Sequence, residues 1–145
     1  MPALPEVLND ASKKPAVVND CLTLIDQEVG DKGGISGLAI KAGYATVKGI
    51  KPGFIKNVVE DLLPKFAEAL DPIYQEAKTR SQPVGSYFPQ NAGRVADALL
   101  GITDAKAQRA SGVVRKTYDS LRGSAKKNVE AAVPRLGRLV EKHAG

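Results

Sequence analysis

Few side chains in this sequence are of the types that do chemistry, and their spacing does not assemble a catalytic site. The chain has one histidine, His143, and one cysteine, Cys21. Zinc and haem sites need several nitrogen or sulfur ligands, which this pair does not supply. Serine–histidine–aspartate catalysis needs a histidine as its base, and we expect His143 to be solvated at a frayed helix end. We therefore expect no catalytic residue, no metal and no cofactor.

The best candidate for a polar network comes from two stretches of the chain that resemble each other. Residues 36–49 and 111–123 align when one residue is deleted, and the match extends upstream. The chemically active residues that it pairs are Asp20 with Asp97, Lys41 with Lys116, and Tyr44 with Tyr118. A tyrosine hydroxyl hydrogen-bonded to a carboxylate such as Asp20 or Asp97 would satisfy both groups. We favour this structural pairing over a binding site made by the lysines and tyrosines, and over acid–base catalysis by the two aspartates.

Charge is distributed unevenly along the chain, whose formal net charge is +5. Residues 1–80 hold ten Lys/Arg and eleven Asp/Glu, residues 81–145 hold eleven and five, and the stretch from Lys32 to Val59 has no acid. The residues that could form a basic, phosphate-binding surface are Lys48, Arg109, Arg115, Arg122, Lys126 and Lys127. The alternative, which we favour, is that these cations only solvate the outer faces of helices.

The elements that must position these residues are predicted to be helices. Apolar residues recur at helical spacing, and no useful length alternates as a strand does. Hydrophobic residues make up 43% of the chain, with three Phe, four Tyr and no Trp, so we expect a core of aliphatic side chains. The predicted fold is all-α, with about seven helices over residues 15–29, 35–48, 54–70, 71–79, 91–101, 104–122 and 125–143.

The boundaries of these helices follow from capping residues and helix breakers. The cap and stop signals are Asp71-Pro72, Thr103 and Gly123-Ser124. Pro64 and Pro134 lie inside predicted helices, and each lacks the backbone N–H that would bond the residue four positions earlier. We expect a kink or a break at both prolines. Tyr87 and Phe88 are expected to pin the connector that precedes residue 91 to the core.

The helix predicted over residues 35–48 carries two apolar stripes. One stripe is Ile35, Leu38, Ala42 and Ala45, and the other is Ile40, Tyr44 and Val47. Because only a narrow polar edge remains, we expect this helix to be central and covered on two sides. Gly37 and Gly43 lower the stability of the helix. We expect a neighbouring helix to approach closely at both positions, because glycine has no side chain.

The matched stretches predict an internal duplication within a single domain of residues 1–145. The two copies would span residues 15–80 and 89–145, joined by a connector over residues 81–88. We expect a compact bundle of two three-helix halves related by a pseudo-twofold axis. Whether the halves pack side by side or interleave is left open by the sequence.

Three runs of the sequence resemble a known family. They are residues 31–53, with Asp31-Lys-Gly-Gly-Ile-Ser-Gly and Lys51-Pro52-Gly53, then Leu62-Leu63-Pro64, then residues 122–134. These runs are similar to an uncharacterised family of small bacterial all-helical proteins, and the resemblance covers most of the chain from about Pro15 onward. It implies a bacterial cytoplasmic protein and nothing about activity or functional residues.

These observations favour a non-enzymatic binding or structural module of the bacterial cytoplasm that could associate with itself. The lone cysteine suits a reducing compartment, and neither a secretory signal nor an apolar run long enough to span a membrane is visible. The main alternative is a nucleic-acid- or phosphate-binding protein that uses the basic faces of the helices over 35–48, 104–122 and 125–143. The third is a helical protein that binds a lipid surface or a small ligand.

Overall fold

The structure is a computed structural model that describes residues 3–110 and 112–144, apart from the side chains of Ile35 and Ser36. Within these residues every regular element is a helix, so the predicted all-α class with about seven helices is confirmed. Three residues used in the sequence analysis lie outside the described side chains. They are Ile35, which begins one apolar stripe, and the matched serines Ser36 and Ser111. The helices are α1 Leu4–Leu8, α2 Lys14–Asp31, α3 Gly34–Lys48, α4 Phe54–Thr79, α5 Val84–Gln90, α6 Ala92–Arg109 and α7 Gly112–Ala144.

Helix α4 continues through both of its prolines, so the predicted division at Asp71-Pro72 is wrong, and Pro64 does not break the helix. Its buried face explains the continuity, because the packing of a long apolar stripe outweighs one lost backbone hydrogen bond at each proline. That face consists of Val59, Leu62, Leu63, Ala67, Leu70, Ile73, Tyr74 and Ala77. Asp71 caps a different helix instead: its carboxylate accepts the backbone N–H of Leu4 at 2.8 Å.

Helices α6 and α7 also differ from their predicted boundaries. Thr103 lies inside α6 rather than before a new helix, and its hydroxyl lies 3.2 Å from the backbone oxygen of Leu100. Helix α7 runs for 33 residues through Gly123-Ser124 and Pro134. A glycine inside a helix costs only about 1 kcal/mol, so packing on both sides of Gly123 can hold one continuous helix.

The predicted connector contains a helix of its own, α5. Tyr87 and Phe88 are 5% and 0% exposed, which confirms that they pin this segment to the core. Helix α5 lies close against α7 at Gly137, where an added Cβ would stand 3.3 Å from both the Cα and the carbonyl oxygen of Gly85. The two backbones can therefore approach because neither position carries a side chain.

The expected pair of three-helix halves is not what the helices form. Residues 15–80 contain the three helices α2, α3 and α4, but the described residues of 92–144 form two, because the helices predicted over 104–122 and 125–143 belong largely to one continuous α7. The pseudo-twofold relation is not confirmed. The internal duplication and the division into one domain with two copies stay predictions.

The buried side chains concentrate at one end of the molecule, which we call the closed end. It comprises α1, residues 67–77 of α4, α5, and residues 133–140 of α7. The largest side chains that are fully buried there include Leu4, Tyr74, Val84, Phe88, Val133 and Val140. Helix α2 and the start of α6 continue this core through Val17, Val18 and Val95.

Candidate functional site

The opposite end of the molecule, which we call the open end, surrounds a cavity of about 1110 Å³. It comprises α3, residues 54–65 of α4, residues 100–110, and residues 112–129 of α7. Large apolar side chains of the cavity wall include Ile40, Val47, Phe54, Leu62, Ile102 and Leu121. Most of these side chains are only half-buried, because the cavity leaves them without neighbours on one side.

Helix α3 forms one wall of the cavity, and it is not the central helix that the sequence predicts. Ile40, Tyr44 and Val47, the second predicted stripe, line the cavity. The first stripe faces outward instead, with Leu38 68% exposed and Ala42 and Ala45 exposed beside it. The prediction that α3 is covered on two sides is therefore wrong, since the remaining helices cover its inner face only.

Gly43 sets the distance between α3 and α7. An added Cβ at this position would stand 3.0 Å from Cδ1 of Leu121 and 3.1 Å from Cγ2 of Thr117. The predicted close approach of a neighbouring helix is confirmed here. At Gly37 the prediction is wrong about the neighbour, because an added Cβ would meet the backbone carbonyl carbon of Lys32 at 2.6 Å, just before the same helix.

Cations outnumber acids around the cavity. Among the described residues that line it, the basic ones are Lys51, Lys65, Lys106, Arg109 and Arg122, and the one carboxylate is Asp61. Lys106 and Asp61 form an ion pair at 3.9 Å between α6 and α4. Lys51, Lys65 and Arg109 are exposed, and none of them is within ion-pair distance of an acid in the described part of the chain. The cavity is apolar inside with an excess of positive charge at its boundary.

A polar cluster at Tyr118 occupies one part of this wall. The Tyr118 hydroxyl donates a hydrogen bond to Asp104 and lies 2.8 Å from Oγ1 of Thr103. Arg122 holds the same carboxylate through Nε at 2.8 Å and Nη2 at 3.1 Å. The guanidinium of Arg122 and then the Tyr118 hydroxyl lower the pKa of Asp104, and burial followed by the bond to Asp104 raises the pKa of Tyr118. At neutral pH the cluster therefore contains a carboxylate, a guanidinium and a protonated tyrosine.

A second tyrosine on the cavity wall is anchored in a similar way. The Tyr44 hydroxyl donates to Asp26 of α2 at 2.5 Å, and Nζ of Lys48 lies 5.2 Å from the centroid of the Tyr44 ring. Burial, and then the hydrogen bond to the carboxylate, raise the pKa of Tyr44 to about 12. Both tyrosines thus turn their hydroxyls toward an aspartate on the helix before them and leave their rings to the cavity.

The predicted partners of these tyrosines are wrong, because Asp20 and Asp97 bond other groups. Asp20 accepts from Nζ of Lys142 at 3.0 Å and lies 2.7 Å from Nε2 of His143. Asp97 pairs with Lys126 at 3.1 Å. The two aspartates belong to separate ion pairs and do not meet each other. The hydrogen bonds from Lys142 and His143 lower the pKa of Asp20.

The structure also differs from the predictions for His143, Lys41 and Lys116. His143 is not the solvated residue we expected, because its side chain is only 9% exposed and is held by Asp20. Lys41 and Lys116 are exposed on α3 and α7 and do not join their neighbouring tyrosines in a buried network. Of the six predicted network residues, only Tyr44 and Tyr118 line the cavity.

The predicted basic surface is partly neutralised by neighbouring acids. Arg115 pairs with Asp119, Arg122 with Asp104, and Lys126 with Asp97. Lys48 lies over the Tyr44 ring, and Arg109 is at the cavity. Lys127 is exposed. The six residues therefore do not form one continuous basic surface: Arg109 and Arg122 line the cavity, and three of the six are in ion pairs.

Sequence reasoning missed the cavity residues of α4 and α6. Lys65, Lys106 and Asp61 appeared only as ordinary surface charges of amphipathic helices. No local signal marks these residues, because an amphipathic helix has the same pattern of charges whether it borders a cavity or another helix. The inner stripe of α3 was identified, but its neighbour was taken to be a helix rather than a cavity.

No helix in residues 3–110 or 112–144 combines the length and apolarity that crossing a membrane requires. Residues 4–144 match the model of a family described as "Family of unknown function (DUF6918)". No curated protein and no solved structure matches the chain significantly.

Proposed function

Because the chain belongs to this family of unknown function, we propose from its cavity that it is a non-enzymatic binding protein for an amphipathic small molecule. The ligand would have one long apolar chain and one anionic group, as a fatty acid or a lysophosphatidic acid has. The observation that carries the proposal is the apolar cavity of about 1110 Å³ with basic side chains at its boundary.

The size of the cavity supports the binding of a ligand. The cavity is partly open to solvent, as clefts that bind small molecules are. Such clefts have volumes of about 300–1,000 Å³, and the volume of about 1110 Å³ slightly exceeds that range, so it can accommodate a long apolar chain. An apolar ligand would cover the exposed sides of Ile40, Phe54 and Leu121, and burial of their surface would favour binding.

The charges at the cavity boundary support an anionic head group. Lys51, Lys65 and Arg109 have no acid beside them among the described residues, so their fields are not cancelled locally. Arg122 uses Nε and Nη2 for Asp104, which leaves the Nη1 donors for a ligand oxygen. Charge-assisted hydrogen bonds from a guanidinium to a carboxylate or phosphate are stronger than neutral ones.

The other functions considered have less support. The basic surface predicted to bind nucleic acid would need unpaired cations, whereas Arg115, Arg122 and Lys126 of that surface are each paired with an aspartate. Self-association remains compatible with a binding protein and would add to this function rather than replace it. We also propose a bacterial cytoplasmic location, supported by the resemblance and by a lone cysteine that forms no internal disulfide.

The test is to identify and then measure the ligand. Organic extracts of the purified protein, analysed by mass spectrometry, should contain acyl anions at close to one per chain. In solution, a fatty acid and a lysophosphatidic acid should each displace the fluorescent probe anilinonaphthalene sulfonate, and a fatty alcohol of equal length should displace it more weakly. Comparing the two anions distinguishes a carboxylate from a phosphate head group.

Two alanines of α7 provide a matched pair of variants. Ala125 lines the cavity, and Ala131 is exposed further along the same helix. Ala125→Trp should fill part of the cavity and weaken acyl-anion binding about tenfold or more, because the indole occupies space that the ligand needs. Ala131→Trp should bind normally. Equal binding by both variants, or no displacement by either anion, would overturn the proposal.

A further inference from the structure

The outward face of α3 is apolar although no described element covers it. Leu38, Ala42 and Ala45 follow one another at helical spacing on this face, and all three are exposed. Leu38 is the most exposed large apolar side chain among the described residues, at 68%. On the opposite face of the same helix, Ile40, Tyr44 and Val47 line the cavity. Helix α3 therefore has one apolar face toward the cavity and a second toward the surroundings.

The charged residues of α3 and of the segment that follows it are all basic. Lys41 and Lys48 are exposed beside the apolar residues of α3, and Lys51 and Lys56 follow it and are exposed too. The sequence from Lys32 to Val59 contains no aspartate or glutamate. Among the described residues none of these four lysines is within ion-pair distance of an acid. A helix that lies on an anionic bilayer has this combination of a lysine-rich side and an exposed apolar side.

We propose that α3 docks on the surface of a bilayer that contains anionic phospholipid. Leu38 and the alanines would enter the interface between head groups and acyl chains, while Lys41 and Lys48 would contact phosphates beside them. The occupant is identified by charge complementarity, because a neutral surface would leave the lysines without partners. Docking does not require that the cavity bind a lipid. If the proposed function holds, the same helix would contact the membrane on one face and the bound molecule on the other.

Vesicle sedimentation tests this directly with the full chain. The protein should sediment with vesicles of phosphatidylcholine and phosphatidylglycerol, but not with phosphatidylcholine alone, and added salt should weaken the binding. Lys41→Glu/Lys48→Glu should lower the partition coefficient about tenfold or more, since each basic residue near an anionic surface contributes measurably. Leu38→Ser should lower the partition coefficient several-fold. The binding that remains should depend more strongly on salt, because it is then mainly electrostatic.

A control of equal charge change separates α3 from general attraction. Lys127→Glu/Arg138→Glu alters the net charge by the same amount at exposed positions of α7 and should keep most of the binding. Both charge-reversal variants and Leu38→Ser should retain probe displacement in the cavity, because none of the substituted residues lines it. Ala125→Trp should still bind vesicles, so failure of the cavity proposal and failure of the docking proposal are distinguishable.

Three results would overturn the docking proposal. The first is no binding to the anionic vesicles, and the second is an equal loss in the control and in Lys41→Glu/Lys48→Glu. The third is a different occupant of the face. A second copy of the chain would appear in light scattering as a dimer that Leu38→Ser dissociates. An oligonucleotide would form a complex that Lys41→Glu/Lys48→Glu abolishes. Either result, without vesicle binding, would overturn the proposal.

Discussion

The closed end and the open end of this molecule use similar aliphatic residues in opposite ways. At the closed end Leu4, Phe88 and Val133 are fully buried and touch neighbours on all sides. At the open end none of the described side chains of α3, or of residues 112–129, is buried. Apolar residues there form the walls of a cavity instead of filling it.

The difference shows that apolar composition does not by itself produce a core. Helix α3 has the most apolar composition of the long helices, yet it contributes no described side chain to the buried core. What separates the two ends is how closely their helices approach. At the closed end Gly137 of α7 lies against Gly85 of α5, whereas at the open end large side chains of α3, α4, α6 and α7 border a cavity instead of meeting one another.

Matched phenylalanine truncations should give the largest contrast between the ends. Phe88→Ala should lower the free energy of unfolding by about 3–5 kcal/mol, because a fully buried ring is lost and a cavity is left behind. Phe54→Ala should cost about 1–2 kcal/mol, since Phe54 is half-buried and already borders a cavity. Urea unfolding measures both. Similar losses would show that the open end is packed as tightly as the closed end.

Matched glycine substitutions should differ in sign. In Gly137→Ala the new methyl group meets the backbone of Gly85, so we expect a loss of about 1 kcal/mol despite the better helix propensity of alanine. In Gly43→Ala the new methyl group meets the ends of two side chains, Leu121 at 3.0 Å and Thr117 at 3.1 Å. Both residues line the cavity, so they can shift toward it where the backbone of Gly85 cannot. We expect that variant to be unchanged or more stable by up to about 1 kcal/mol. Thermal unfolding followed by circular dichroism distinguishes the two, and a destabilised Gly43→Ala would contradict the expectation.

The smallest contrast concerns pH. Hydrogen bonds from Arg94 and then from Tyr87 lower the pKa of Glu76 at the closed end from 4.5 to about 2. A lowered folded-state pKa means that the stabilisation is fully present above pH 4.5 and is lost as the pH falls toward 2. Glu76→Gln should therefore flatten the stability profile in this window. The effect should be small, because the pair is exposed to solvent.

Asp104→Asn provides the corresponding change at the open end. It removes the carboxylate that holds Arg122 and Tyr118, so it should alter acyl-anion binding more than it alters stability. Urea unfolding at several pH values and probe displacement measure the two effects. The expected contrast is contradicted if Glu76→Gln leaves the free energy of unfolding with the same dependence on acidic pH. It is also contradicted if Asp104→Asn loses stability and keeps normal acyl-anion binding.

Much of the helical fold was predictable because it depends on local patterns. The limits of α2 and α3 fall within about two residues of their predicted positions, since breakers and apolar periodicity agree there. Prediction failed at Asp71-Pro72, Thr103 and Gly123-Ser124, where local signals for a boundary are overridden. At these positions the helix continues because residues on both sides pack against other helices, and such tertiary contacts leave no local pattern in the sequence.

The site was much less predictable than the fold. Hydrogen-bonding chemistry predicted that Tyr44 and Tyr118 would each bond a carboxylate. Which carboxylates these are depends on how the helices pack, so Asp26 and Asp104 were not distinguishable from Asp20 and Asp97 in the sequence. The cavity was not visible at all, because an apolar stripe has the same pattern whether it faces a helix or an empty space.

The contact between α1 and the end of α7 has a consequence for how the protein is made. Leu4 and Leu8 belong to the same core as Val133 and Val140, so α1 leaves the ribosome well before the part of α7 against which it packs. At a synthesis rate of roughly 5–20 residues per second, that interval is on the order of ten seconds. During translation the nascent chain must keep α1 exposed or chaperoned, and the closed end can form only after the ribosome has delivered α7.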